Sequence, residues 1–312
     1  MGTVRIGISG WRYAPWRKVF YPDGLAQRRE LEFASRMLPT IEINGSFYAL
    51  QSPSNWTAWR DATPPGFVFS VKGPRYVTHI LRLKDVDTAM ANFFASGLLA
   101  LNEKLGPILW QLPPSLPFDP ERLEHFLSRL PQDTASALAL AKQHEPRMEG
   151  KTCLTIDRKR RMRHAVEVRH ASFVDPRFIA MLRRHRVAWV VADTGGRWPQ
   201  CDDLTADFVY LRLHGPEELY ASGYSPTALA RWAQRIRAWA RGDQVRGARL
   251  ISERAAPRRS SRDVYCYFDN DVKVRAPFDA AHLMARLKLP SGLNAEGIFS
   301  LPPGSPPIER KR

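Results

Sequence analysis

His164-Ala165-Val166-Glu167-Val168-Arg169-His170 is the stretch on which the reading of the fold turns. In an extended chain, side chains two positions apart share a face. Val166 and Val168 then point one way, Glu167 and Arg169 the other, so an apolar face backs onto a charged one. The same signature recurs in residues 40–48, with Glu42 and Asn44, and in residues 208–215, with Arg212 and His214. A surface hairpin explains one such segment but not three spread along the chain. A sheet covered on its outside by helices, with polar groups gathered at one end of its inner face, explains all of them.

Working outward, alternating or continuous apolar runs predict strands at 4–11, 40–48, 67–72, 106–111, from 164, at 188–193, 208–215 and 264–268. Helical spacing predicts helices at 25–38, 54–61, 87–103, 120–130, 134–144, 175–185, 225–241 and 276–289. Eight strands separated by helices or helix-length connections are the count of an α/β chain closed into a single (β/α)8 TIM barrel. An open doubly wound sheet offers no reason for polar residues to end every strand. The barrel is expected to occupy residues 1–290. Residues 291–312, rich in Pro, Gly and Ser and ending Glu309-Arg310-Lys311-Arg312, are expected to form a disordered tail.

Composition narrows the class. With 312 residues and 44% hydrophobic content the chain can bury a large core. No run approaches the ~18 apolar residues of a membrane span. Met1 to Arg5 lead directly into a strand pattern without the basic and apolar regions of a signal peptide, which predicts a cytoplasmic protein. Cys153, Cys201 and Cys266 are odd in number and far apart, the pattern of neither a disulfide framework nor a zinc site. The net charge of +16 attracts polyanions and anionic substrates, and two basic runs, 157–163 and 254–262, are candidates for contact with a phosphate backbone. Solvated helix faces account for much of the remaining charge.

The strand ends collect Ser9 and Trp11; Glu42, Asn44 and Tyr48; Lys72, with His79 in the loop beyond; Gln111; Glu167, Arg169 and His170; Asp193; Arg212 and His214; and Asp269, Asn270 and Asp271. In a barrel these converge on one mouth, where barrel active sites lie. Some of these residues have plain structural uses: Glu167 can pair with Arg169, and His170 can cap the next loop. Three chemistries compete for the ensemble. Glu42, Glu167, Asp193, His214 and Asp269 are of the type that binds divalent metal. Lys72, Arg169 and Arg212 oppose a metal and favour a phosphate or carboxylate, with Glu42 or Glu167 as general base and His214 or His79 as acid. Trp11, Tyr13, Trp16, Tyr48 and Tyr76 beside Arg12, Lys72 and Arg75 offer stacking platforms for nucleic acid. The chain has no phosphate-binding P-loop, dinucleotide fingerprint, nucleophile elbow or metal-binding His-Glu-x-x-His helix, and no cofactor is assigned.

Gly7-Ile8-Ser9-Gly10-Trp11, Phe20-Tyr21-Pro22, Glu42-Ile43-Asn44-Gly45-Ser46-Phe47-Tyr48, Thr78-His79, Lys104-Leu105-Gly106-Pro107, Gln111-Leu112-Pro113, Glu167-Val168-Arg169-His170, Arg212-Leu213-His214-Gly215 and Tyr267-Phe268-Asp269-Asn270-Asp271 together resemble the YecE-like family, also called domain of unknown function 72. The resemblance runs in order from about Val4 to Leu289 and implies a (β/α)8 barrel. Gly45-Ser46 and Asp269 depart from the family's usual residues while keeping polarity. The barrel is similar in outline to the metal-dependent endonuclease IV and xylose isomerase group, but Lys72, Arg169 and Arg212 argue against carrying over a metal site. The leading expectation is a barrel that binds an anionic, phosphate-bearing ligand and hydrolyses it, with Ala at Arg169 or Arg212 abolishing binding and sparing the fold. A nucleic-acid-binding or nucleic-acid-processing protein and a non-catalytic scaffold are the alternatives.

Overall fold

Four helices open on the same two-residue signal. Ser52, Asp119, Asp175 and Ser225 each precede a proline, and each side chain accepts a backbone N–H of the first turn, from Asn55, Arg122, Arg177 and Ala228 respectively. Proline's missing N–H costs nothing at that position, and each cap contributes about 1 kcal/mol. The computed structural model describes residues 1–215 and 219–300. In chain order it contains β1 (Val4–Ser9), α1 (Glu30–Met37), β2 (Thr40–Ile43), the single turn α2 (Gly45–Tyr48), α3 (Pro53–Asp61), β3 (Val68–Lys72), α4 (Asp87–Ala95), β4 (Leu105–Gln111), α5 (Pro120–Arg129), α6 (Thr134–Ala141), β5 (His164–Glu167), α7 (Pro176–His185), β6 (Ala188–Asp193), β7 (Phe208–Leu213), α8 (Pro226–Ala240), β8 (Asp263–Phe268) and α9 (Ala276–Leu287). Every strand pairs in parallel with the next and β8 returns to β1, so the barrel closes as expected. Among the described residues, no helix intervenes between β6 and β7, and none is long and apolar enough to cross a membrane.

Two of the predicted elements that end early do so for plain local reasons. The strand expected over 40–48 stops at Ile43, because Asn44 turns helical (φ −94°, ψ −20°) and starts α2. Ser46 Oγ then donates to the Lys72 carbonyl at 2.7 Å, fastening that turn to the end of β3. The helix expected over 87–103 breaks at Gly97, whose φ of 104° suits glycine and whose Cβ would lie 2.8 Å from Pro53 Cα. Close approach also explains Gly7: a Cβ there would sit 1.9 Å from the Thr40 carbonyl oxygen.

The lower barrel interior is filled by pairing small residues with large ones. Ala165, Ala188 and Ala192 face the space taken by Tyr210, Tyr265 and Tyr267. The buried hydroxyls are satisfied, Tyr267 by Thr40 Oγ1 at 2.9 Å and Tyr210 by Ser70 Oγ at 2.6 Å. His164, first residue of the opening stretch, faces outward: its ring takes a hydrogen bond from Trp110 Nε1 at 3.2 Å and lies 2.8 Å from the Pro131 carbonyl. Burial lowers its pKa to about 4, so it packs as a neutral ring.

Residues 291–300, assigned to a disordered tail on composition, lie against the barrel. Phe299 is buried with its ring 4.8 Å from Phe20 and 5.2 Å from Phe278. The basic end, Glu309 to Arg312, is outside the described residues.

Candidate functional site at the barrel mouth

Strand alternation puts Tyr210 and Arg212 on the inner face of β7, one step apart along the barrel axis. Arg212 is the centre of the mouth, with its side chain 1% exposed. Its Nε and Nη2 grip Glu42 Oε2 and Oε1 at 3.1 and 2.9 Å, Nη1 donates to Glu167 Oε2 at 2.9 Å, and Nη2 also reaches Asp269 Oδ2 at 2.7 Å. Nη1 lies 3.4 Å from His214 Nε2. Four guanidinium N–H groups thus donate to carboxylates, and Nη1 also faces the His214 ring. Arg212 is a structural keystone, which corrects the expectation of a fork free to bind ligand.

Glu42 is equally committed. It accepts from Ser9 Oγ at 2.9 Å and the Tyr210 hydroxyl at 2.6 Å besides both Arg212 bonds, so no lone pair remains for a general base. Glu167 accepts from Gln111 Nε2 and Arg169 Nε, each at 2.9 Å, and from Arg212. Burial would raise its pKa, but Arg212 and then Arg169 outweigh burial and hold it well below the usual range. Asp269 is held at about 2 in the same way, by Arg212 and His214 against burial. His214 Nδ1 lies 3.0 Å from Asp269 Oδ2, outside hydrogen-bonding angles. These groups form a preorganised ionic floor.

Lys72 differs. The residue is 8% exposed, and its Nζ sits 4.1 Å from the Phe47 ring centroid. It makes no hydrogen bond or ion pair among the described residues. Burial, and then the Arg212 charge, lowers its pKa to about 8 against the pull of Glu42, Glu167 and Asp269. Arg169 stacks 3.8 Å from the Trp198 ring centroid and donates Nη2 to the Tyr220 hydroxyl at 3.3 Å. His79 packs edge-on to Phe47 at 5.1 Å. Burial together with Lys72, Arg169 and Arg75 lowers it to about 4, so it is neutral at pH 7. Asp271 is pushed the other way, well above its usual value, by burial and the Asp269 carboxylate.

The remaining predicted residues stand at the rim or in the scaffold. Tyr48 is 70% exposed on α2 and lines, with Phe47, Arg75 and Tyr76, a cavity of about 460 Å³. Trp11 packs on Trp59 at 5.4 Å and with Asn44, whose buried Oδ1 is unpartnered, borders a second cavity of about 260 Å³. Asp193 accepts from the Tyr224 hydroxyl at 3.1 Å, and His170 caps the turn at Ser172. Asn270 donates to Asp279 Oδ2 at 2.8 Å and the Ser222 carbonyl at 3.0 Å, tying β8 to α9. Sequence reading missed Tyr210, Trp198 and Tyr220. Tyr210 was visible through its two-residue spacing from Arg212; the other two lie in loops, where no periodicity points to the mouth.

A protein-family model described as "Protein of unknown function DUF72" matches residues 5–297. The chain belongs to the DUF72 family. It is 31% identical over 116 residues to the UPF0759 protein YunF of Bacillus subtilis and 29% identical over 129 residues to YecE of Escherichia coli. These matches cover 36% and 41% of the chain, and 40% and 44% of those relatives, so the chain spans less than half of their length. A DUF72 family protein from Thermotoga maritima superposes with a TM-score of 0.68 at 23% identity, covering 92% of this chain and 99% of that one. One from Enterococcus faecalis gives 0.64 at 14%, covering 92% and 96%. These structural likenesses agree on the fold.

The basic runs of this DUF72 chain lie at the opposite end of the barrel. Arg161 and Arg163 both pair with Asp207, just before β7, and Arg163 also pairs with Asp263, the first residue of β8. Arg160 pairs with Asp157 and Lys159 with Asp133. In the second run, Arg262 is buried and donates to the Gly242 and Pro257 carbonyls at 2.6 and 2.5 Å. Much of this charge holds strand starts together.

Proposed function

We propose that this DUF72 barrel binds a small phosphate-bearing anion at the C-terminal mouth, in the cytoplasm, and hydrolyses it by acid and base catalysis. Lys72 carries the reading. Glu42, Glu167 and Asp269 are already gripped by Arg212, and a buried ammonium left over an aromatic face attracts an anion from water. Arg169, with one edge on Glu167 and its plane on Trp198, and the exposed Arg75 add positive field on the same side. Asp271, its carboxyl pushed up by burial and the Asp269 carboxylate, is the candidate acid, and His79, neutral at pH 7, the candidate base.

Calorimetric titration with inorganic phosphate tests the reading on wild type and on Lys72→Met. Loss of one direct charge-assisted contact weakens binding about tenfold or more. A folded Lys72→Met protein that binds phosphate as tightly as wild type would sink the assignment.

A further inference from the structure

Among the buried basic side chains of the barrel, Lys72 has a distinctive setting. Lys104, also buried, donates to the Arg60 and Thr63 carbonyls at 2.6 Å each and to Thr63 Oγ1 at 3.1 Å, which fixes its protons and occupies its nitrogen. Lys72 Nζ instead faces the Phe47 ring. A ring face steadies the ammonium but donates nothing to the nitrogen, so the lone pair is unshared once the proton leaves. The side chain also projects from the last residue of β3, the strand end where barrel chemistry is done.

We propose that Lys72 Nζ is a nucleophile that forms an imine with a small aldehyde or ketone carrying an anionic group. This rests on the anion-binding reading above, with Arg169 and Arg75 drawing the anionic group while the amine meets the carbonyl. The neutral amine attacks the carbonyl carbon, the C=O π pair moves to oxygen, and that oxygen takes the proton the nitrogen releases. The carbinolamine then expels its hydroxyl as water with one proton from solvent, leaving a protonated C=N bond. One water is lost and nothing is oxidised or reduced. Desolvation favours the reactive form. With a pKa of about 8, roughly one Lys72 in ten is neutral at pH 7, against roughly one in 3,000 for an ordinary lysine, a factor of about 300.

Reductive trapping tests this. The full-length protein is mixed at pH 7 with pyruvate or glyceraldehyde 3-phosphate and sodium borohydride, and its peptides are mapped by mass spectrometry. The reduced adduct is expected on Lys72 at least about tenfold above exposed Lys142 and Lys151, a conservative reading of the neutral-amine ratio. Lys72→Arg should lose that adduct, because a guanidinium, always protonated, offers no neutral amine to attack the carbonyl. Adducts spread evenly over the lysines, in a protein that binds phosphate, overturn the nucleophile and leave the anion site standing. A Lys72 adduct with glyceraldehyde 3-phosphate in a protein that does not bind phosphate overturns the anion site. Absence of both overturns both.

Discussion

Lys72→Met should stabilise the protein. Lowering the lysine from 10.5 to about 8 means that the folded state holds the charged form about 3 kcal/mol less well than the unfolded chain does, at about 1.4 kcal/mol per pH unit. The cation over Phe47 returns about 1 kcal/mol of other contact that methionine, polarisable and of similar length, partly keeps. The expected net gain at pH 7 is about 2 kcal/mol, or roughly 4 °C in Tm for a chain of this size. The sign has a pH signature. Between about 8 and 10.5 the unfolded chain binds the lysine proton and the folded one has released it, so wild-type stability rises with pH through that window. Below pH 8 the penalty is complete; above 10.5 it has vanished. The difference between variant and wild type should therefore be largest at pH 7 and close to zero by about pH 10.5. Paired urea titrations at pH 7, 9 and 10.5 measure it, because the other titrating groups cancel in the difference. A variant less stable than wild type at pH 7, or a difference flat across pH, refutes the burial argument.

Arg212→Ala leaves Glu42, Glu167 and Asp269 buried without their shared counter-charge, and should cost about 3–5 kcal/mol, read as a fall in the urea midpoint or as insoluble protein. Asp207→Asn removes the partner of Arg161 and Arg163 at the other end of the barrel; an expected loss of about 1 kcal/mol in the urea midpoint should come with unchanged phosphate titration. Phe299→Ala should cost about 2 kcal/mol and open residues 291–300 to limited proteolysis ahead of the barrel, since its ring is what joins that segment to Phe20 and Phe278.

The barrel was legible because its information is local. Two-residue alternation, helical spacing and apolar runs declare strands and helices one segment at a time, and eight strands leave little choice of closure. The site was legible only as a roster. Alternation puts Glu167 and Arg169 on one face, but nothing near Arg212 in sequence says that it grips Glu42, 170 positions away, so a spent guanidinium read like a free one. The turn at Asn44 lifted Tyr48 out of the mouth, and a propensity-based strand from 40 to 48 hid that. Phe299 shows the same limit at the chain's end: composition describes the average of 291–312, and ring contacts to Phe20 and Phe278 help decide where part of it lies.

The grip of Arg212 on Glu42 also sets a schedule for making the protein. Glu42 leaves the ribosome 170 residues before its counter-charge, an interval on the order of 10 to 30 s at ordinary elongation rates. Until then a nascent half-barrel that closed over β2 would hold that carboxylate without its two guanidinium hydrogen bonds. The counter-charge of Glu42 thus comes from the last third of the chain.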